Sequence, residues 1–284
     1  YMDLKELINE KEISDSSKKV YLSLLKRMEK AKFKPPMRAN EKLTYVKEHV
    51  SSFENPNTRL DMLNLIIVLR NIKELSVEKL KEYRSELKQQ QKAHQVSKMS
   101  EAGEKLMSYE DYTKALGDAY KKEEWKKYIV NTLMMRYGVR NKDLNLSIVK
   151  TKKEMTDGNN YLLLKKDKVV FIRDDYKTHK TYGKKTHEIV DKLFHEAVKK
   201  TGVGKLIAEA QTSNGLRKLY INKMGEAKVF KMMIDHYYDK DDSASIKRLA
   251  TDRGTSLSVV QGFYNVNAES DPISKAMNMG SDTE

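Results

Sequence analysis

The chain has no cysteine among its 284 residues. Disulfides, thiolate metal sites and cysteine nucleophiles are therefore excluded, and the absence fits a reducing compartment. No apolar run approaches the ~18 residues that a membrane span requires. No signal-peptide pattern opens the chain. The first residue is Tyr1 rather than Met, so the numbered chain reads as beginning inside a longer one.

Basic residues are abundant. The 55 Lys+Arg exceed the 41 Asp+Glu, giving a formal net charge of +14 and a pI near 9.4. Residues 1–100 carry 21 Lys+Arg against 14 Asp+Glu, a net +7, and the remainder carries the other +7. Positive charge on both halves suits a protein that grips a polyanion from two sides, not one with a single basic tail. Phosphate neutralisation would make such binding salt-dependent. A lysine-rich soluble surface gives the same totals, so charge alone leaves both readings open.

Residues 1–88 read as a helical module. Ser14 to Ser17 offer N-cap candidates before Val20, Tyr21, Leu24, Leu25 and Met28, which share one helical face. Pro35-Pro36 interrupts; a second helix is expected over 41–52. Asn57 or Thr58 is the expected cap of the apolar run Leu60 to Ile72, the central helix of the bundle. Val77, Leu80, Tyr83 and Leu87 give a fourth amphipathic helix. Residues 89–104 lack apolar periodicity and read as a linker. A second domain is expected over 105–266, with a polar tail at 267–284. It opens with helices, including one over 123–137 that Gly138 ends. Strands are expected over 146–150, 161–165, 169–173 and 186–190, joined by turns at 157–160 and 182–185. Helices then resume over 188–200 and 214–224. The fold class that follows is an all-α N-terminal bundle plus an α+β, mainly helical domain with a small antiparallel sheet.

Four residues of the second half stand in a suggestive order. Arg140 ends Tyr137-Gly138-Val139-Arg140 and is followed by Asp143-Leu144. Lys177 lies in Asp175-Tyr176-Lys177-Thr178, and Arg217 in Asn214-Gly215-Leu216-Arg217. Tyr264 follows Gly254-Thr255-Ser256-Leu257 and closes Gly262-Phe263-Tyr264. Two arginines supply planar, permanently charged forks that match the non-bridging oxygens of a phosphodiester. A tyrosine hydroxyl, with a reference pKa of about 10, becomes a nucleophile when cations favour its phenolate. Rivals exist at two positions. Tyr237 and Tyr238 compete with Tyr264 but lack its Gly-Thr-Ser context, and Lys180, Lys184 and Lys185 compete with Lys177 on one turn. His195 and His236 lack ligand spacing.

The series resembles the tyrosine recombinase, phage-integrase-like family, whose catalytic set is Arg, Lys, His, Arg, His or Trp, and Tyr in chain order. Asn214 stands at the first His position and Thr255 at the second. Asn214 can donate a hydrogen bond but cannot act as a base. His179 or His187, which flank the Lys177 turn, could fold in to replace a missing His. Asp143 matches an acidic position that buttresses the first Arg. Met233 to Ser245, with its acidic run Asp239 to Asp242, reads as an insertion.

The resemblance implies a core-binding, SAM-like N-terminal domain and a catalytic domain that close around duplex DNA. Arg140 and Arg217 would hold the scissile phosphate, Lys177 would protonate the leaving hydroxyl, and Tyr264 would form a 3′-phosphotyrosine, with Asn214 and Thr255 adding hydrogen bonds. No cofactor or metal is called for, because cations do the work of metal ions. Relatives act as homotetramers on paired sites within the cell, wherever the target DNA lies, and the Lys/Asn-rich composition suits a virus or mobile element. A type IB topoisomerase or telomere resolvase uses a similar residue set. A DNA-binding protein that kept the fold with weakened catalysis is the third reading.

Overall fold

The computed structural model describes residues 4–13, 15–39, 42–103, 106–207 and 213–263. By contact density the chain divides into two compact units, Tyr1–Ser97 and Lys98–Glu284.

The first unit is helical throughout. Its helices are α1 (Leu4–Glu10), α2 (Asp15–Lys30), α3 (Thr44–Ser51), α4 (Pro56–Ile72) and α5 (Glu78–Gly103). α4 is the central one. It buries Leu60, Met62, Leu63, Leu65, Ile66, Ile67, Leu69 and Arg70, too many positions for a single stripe, and it packs against α1, α2 and α3. Its cap is Asn55, not Asn57 or Thr58. The Asn55 side chain accepts from the Asn57 amide at 2.8 Å, and Pro56 takes the first helical position, where no amide donor is needed. Residues 89–103, expected as a linker, continue α5 instead. Gln, Lys, Ala, Glu and Met are good helix formers, so the segment needs no apolar stripe to stay helical. The boundary between the two units falls inside this helix.

The second unit is mainly helical around one small sheet. It opens with α6 (Tyr109–Lys121) and α7 (Trp125–Tyr137). Ser108 caps α6, accepting from the Asp111 amide at 3.0 Å. α7 is buried continuously from Tyr128 to Met135. Strands β1 (Leu146–Val149), β2 (Asn160–Leu164), β3 (Val169–Arg173) and β4 (Lys185–Ile189) follow, with the short helix α8 (His179–Tyr182) between the last two. α9 (Lys192–Thr201) leads to the two-residue strand β5 (Gly204–Lys205). The sheet order is β4-β3-β2-β1-β5. It is mixed, correcting the antiparallel expectation: β1 pairs with β2 in parallel, while the other pairs are antiparallel. The ten residues between β1 and β2, with a single 3-10 turn at Lys152–Glu154, bring the chain back to start β2 beside the start of β1.

Helices α10 (Ser213–Arg217), α11 (Glu226–Asp239), α12 (Ser243–Arg253) and α13 (Leu257–Phe263) complete the described chain. α9 starts at Lys192 rather than 188, because Glu188 and Ile189 pair with β3. The helix expected over 214–224 breaks after Arg217, and Asn222 and Lys223 take left-handed conformations with φ of 45° and 57°. The stretch read as an insertion forms the end of α11 and the start of α12. It contributes Met233 and Ile234 to the core, and Asp242 caps α12 through the Ser245 amide at 2.9 Å. Each of those fully buried aliphatic side chains contributes about 1.5–3 kcal/mol of transfer free energy.

Candidate functional site

Gly138 ends α7 in the left-handed conformation, with its amide on the Met134 carbonyl at 3.0 Å. The chain leaves the helix into the turn that carries Arg140. Asp143 closes that turn: its Oδ2 accepts from the Arg140 amide at 3.0 Å. The same oxygen accepts from Nη2 of Arg173, the last residue of β3, and both side chains are fully buried.

The C-terminus of α12 is where the site gathers. A helix end leaves carbonyls without intrahelical partners and carries the negative end of the macrodipole. Here four successive carbonyls receive donors from other segments. Lys185 Nζ donates to Thr251 O, and to Asp252 O at 3.2 Å. Arg173 Nη1 also donates to Asp252 O. Arg140 Nη1 donates to Arg253 O at 2.7 Å. Thr178 Oγ1 donates to Gly254 O at 3.1 Å. The chain turns there through a Schellman motif, with the Thr255 amide on Ala250 O and the Gly254 amide on Thr251 O, both at 3.0 Å. Ser256 then caps α13.

Arg253 ties the same two segments from the other side. Its Nη1 donates to Gly138 O at 2.6 Å, its Nη2 meets Glu226 Oε2 at 2.7 Å, and its guanidinium lies 4.3 Å from the centre of the Phe230 ring.

Charge in this cluster perturbs its neighbours. Burial, then Arg173, lowers the pKa of Lys185, while Asp252 opposes the fall. Burial raises the Asp252 carboxyl, against the pull of Arg248, Lys185 and Arg173. Burial and the cations Arg173, Lys185 and Arg248 push His187 down to about 4. The His187 ring lies against Tyr137 at 4.4 Å between centroids, and its Nε2 has no hydrogen-bond partner among the described residues.

Of the sequence-derived site positions, Arg140 reaches residues 251–255 by direct contact, Thr255 is the last residue of that turn, and the Lys177 loop touches it through the neighbouring Thr178. The Lys177 side chain is exposed. Its loop is pinned by buried Asn160, whose Oδ1 accepts from the amides of Asp174 and Asp175 at 2.9 and 2.8 Å. The Tyr176 hydroxyl closes the loop on Gly183 O at 2.6 Å. Among the rival lysines, Lys180 is exposed, Lys184 lies 3.5 Å from both Asp157 and Asp174, and Lys185 is locked on α12.

Arg217 is exposed at the end of α10. Its charge reaches Tyr220, whose phenol is raised by burial and Glu226 while the Asn141 bond and Arg217 oppose this. The Tyr220 hydroxyl donates to Asn141 Oδ1 at 2.6 Å, next in sequence to Arg140. Arg217 also lines a cavity of about 540 Å³ with Lys218, Tyr220, Lys223 and Gly225. Asn214 lies in α10; its side chain is outside the described residues, as are Tyr264 and the tail 267–284.

His179 does not fold into the cluster; its Nε2 pairs with Asp174 Oδ1 at 3.0 Å. Tyr237 is half-buried against the core, and His236 stacks on Tyr109 at 3.7 Å. Sequence reasoning missed Arg173 and Arg253. The one signal for Arg173 was its place at the end of the apolar run Val-Val-Phe-Ile.

No family model, curated protein or solved structure matches the chain.

Proposed function

We propose that the protein is a site-specific DNA recombinase that cuts and rejoins duplex DNA through Tyr264. Its first unit corresponds to a core-binding, SAM-like domain and its second to the catalytic domain. The single observation that carries this reading is the α12 C-terminus, where cations from three separate segments meet one turn that runs on through α13 to Tyr264. Arg140 and Arg217 hold the non-bridging oxygens of the scissile phosphate, where charge builds as a hydroxyl attacks. The Tyr264 oxygen attacks phosphorus, its phenolic proton passing to solvent. The bond to the 5′ oxygen breaks, and Lys177 gives that oxygen a proton. Asn214 and Thr255 donate hydrogen bonds to the phosphate. The phosphotyrosine conserves the bond energy, so a second 5′-hydroxyl reseals the strand without ATP. Paired sites on duplex DNA and a homotetramer complete the proposal.

The test is covalent trapping on a nicked suicide duplex. Tyr264→Phe is expected to bind the duplex as wild type does and to form no adduct. Undiminished trapping by that variant removes Tyr264 as the nucleophile. Asn214 and Thr255, which stand where the resemblance expects histidines, favour a second reading as a binding protein with weakened catalysis; it predicts specific binding with no adduct in wild type. Relaxation of supercoiled plasmid without paired-site products would instead point to a topoisomerase.

A further inference from the structure

Among the described residues, Arg173 and Asp143 form the most deeply buried ion pair of the second unit, each at 0% exposure, yet the pair is incompletely satisfied. Asp143 Oδ1 and Arg173 Nε have no partner among the described residues. Desolvating two charges rarely adds stability, and an apolar pair of similar volume often serves stability as well or better. A pair retained under those terms calls for a reason other than folding energy.

The second bond of each partner supplies one. Asp143 Oδ2 also holds the Arg140 amide at 3.0 Å, and Arg173 Nη1 also holds Asp252 O, three residues before Thr255. The pair is therefore a bridge between the turn that aims Arg140 and the helix end that leads to Tyr264. A planar guanidinium with two forks fixed in this way sets a distance that a flexible ammonium cannot. The Tyr176 ring lies against the guanidinium at 4.8 Å, which holds its plane from the side of the Lys177 loop.

We propose that Arg173 is a positioning residue: through Asp143 it holds Arg140 in register with the α12 C-terminus, so that phosphate grip and nucleophile stay aligned. This rests on the strand-transfer reading. A misplacement of about 1 Å costs on the order of 100-fold in rate. Arg173→Lys keeps the charge and loses the fork. It is expected to lower the rate of adduct formation about 100-fold, far more than any loss of duplex affinity.

The decisive comparison is a double-mutant cycle with Arg140→Ala. If Arg173 acts through Arg140, adding Arg173→Lys to Arg140→Ala costs less than about 3-fold more. Independent, multiplying losses overturn the proposal. The paired replacement Arg173→Met with Asp143→Leu separates positioning from folding. It is expected to melt at or above the wild-type temperature and still be about 100-fold slow. Wild-type rates in that double variant, or failure of both variants to fold, overturn the proposal in favour of no role or a purely structural one. Should wild type form no adduct, the strand-transfer reading falls, and the same cycle is read on duplex affinity by filter binding. Weakening by Arg173→Lys only when Arg140 is present supports the bridge, and equal weakening in both backgrounds overturns it.

Discussion

In Tyr1–Ser97 one charged side chain, Arg70, is buried among the described residues, whereas Lys98–Glu284 buries Asn131, Thr132, Asp143, Asn160, Arg173, Lys231 and Arg253. Arg70 and Arg173 are chemically the same device, a guanidinium capping backbone carbonyls. Arg70 donates to Pro36 O at 2.6 Å and Ser76 O at 3.0 Å, and so ties two connecting segments of the helical unit to α4. Arg173 instead joins a carboxylate and a helix end that lie beside Arg140 and Thr255. The difference teaches where buried polarity is spent on fold and where on a site. A helix bundle satisfies its backbone internally and needs few such groups. A site that must aim several cations at one anion cannot be built from apolar packing alone.

The comparison breaks first at Arg140. Arg140→Ala is expected to lower the rate of adduct formation by about 10³-fold, on the order of 4 kcal/mol of transition-state stabilisation. A rate within a few-fold of wild type would detach this residue, and the cluster around it, from the chemistry.

Arg70→Met is the matched change in the other unit. It strands the carbonyls of Pro36, Arg38 and Ser76 and should cost about 2–4 kcal/mol of unfolding free energy in urea titration. The folded variant should cleave at the wild-type rate. A rate loss comparable to that of Arg173→Lys would show that the two buried arginines do not divide as argued.

His187 sharpens the contrast by pH. Its folded pKa of about 4 lies below the ordinary 6.5, through burial and then Arg173, Lys185 and Arg248. Asp252, with Oδ1 3.9 Å from Nδ1, is the nearby carboxylate. The unfolded chain therefore binds more protons than the fold between pH 6.5 and 4. Stability from this residue is fully present above 6.5 and is lost as pH falls through that window, by about 2 kcal/mol after discounting its partial exposure. Urea midpoints at pH 7 and 4.5 should fall further apart in wild type than in His187→Gln. Equal pH slopes would mean that the imidazole is not held neutral.

Much of this was written locally. β-branched and aromatic runs marked β1 to β4 within a residue or two, and Arg140 contacts the helix end beside Thr255, as does Thr178, the neighbour of the exposed Lys177. What escaped was decided at long range. Arg173 reads as a polar strand end, and its burial depends on Asp143, 30 residues away, and on Asp252 O, 79 away. The parallel pairing of β1 with β2 is set by where the 150–159 crossover can return, which side-chain alternation does not encode. Residues 89–103 do hold the boundary between the two units, but their helical state escaped because a helix without an apolar stripe leaves no period to find.

The smallest effect tests how the Lys177 loop is seated. Gly254 sits at φ +67°, and a β-carbon there would lie 2.4 Å from Thr178 Oγ1. Gly254→Ala therefore carries two costs, left-handed strain of about 1–2 kcal/mol and a clash with the loop. The clash disappears if the hydroxyl is removed. In a Thr178→Ala background the same change should cost about 1 kcal/mol less by urea unfolding, a coupling between residues 76 apart in sequence. The loop that the clash displaces also carries Lys177, so adduct formation by Gly254→Ala should recover in the double variant along with stability. Additive costs would mean that Thr178 does not pack on the helix end, and the link from the loop to the turn before Tyr264 would be lost.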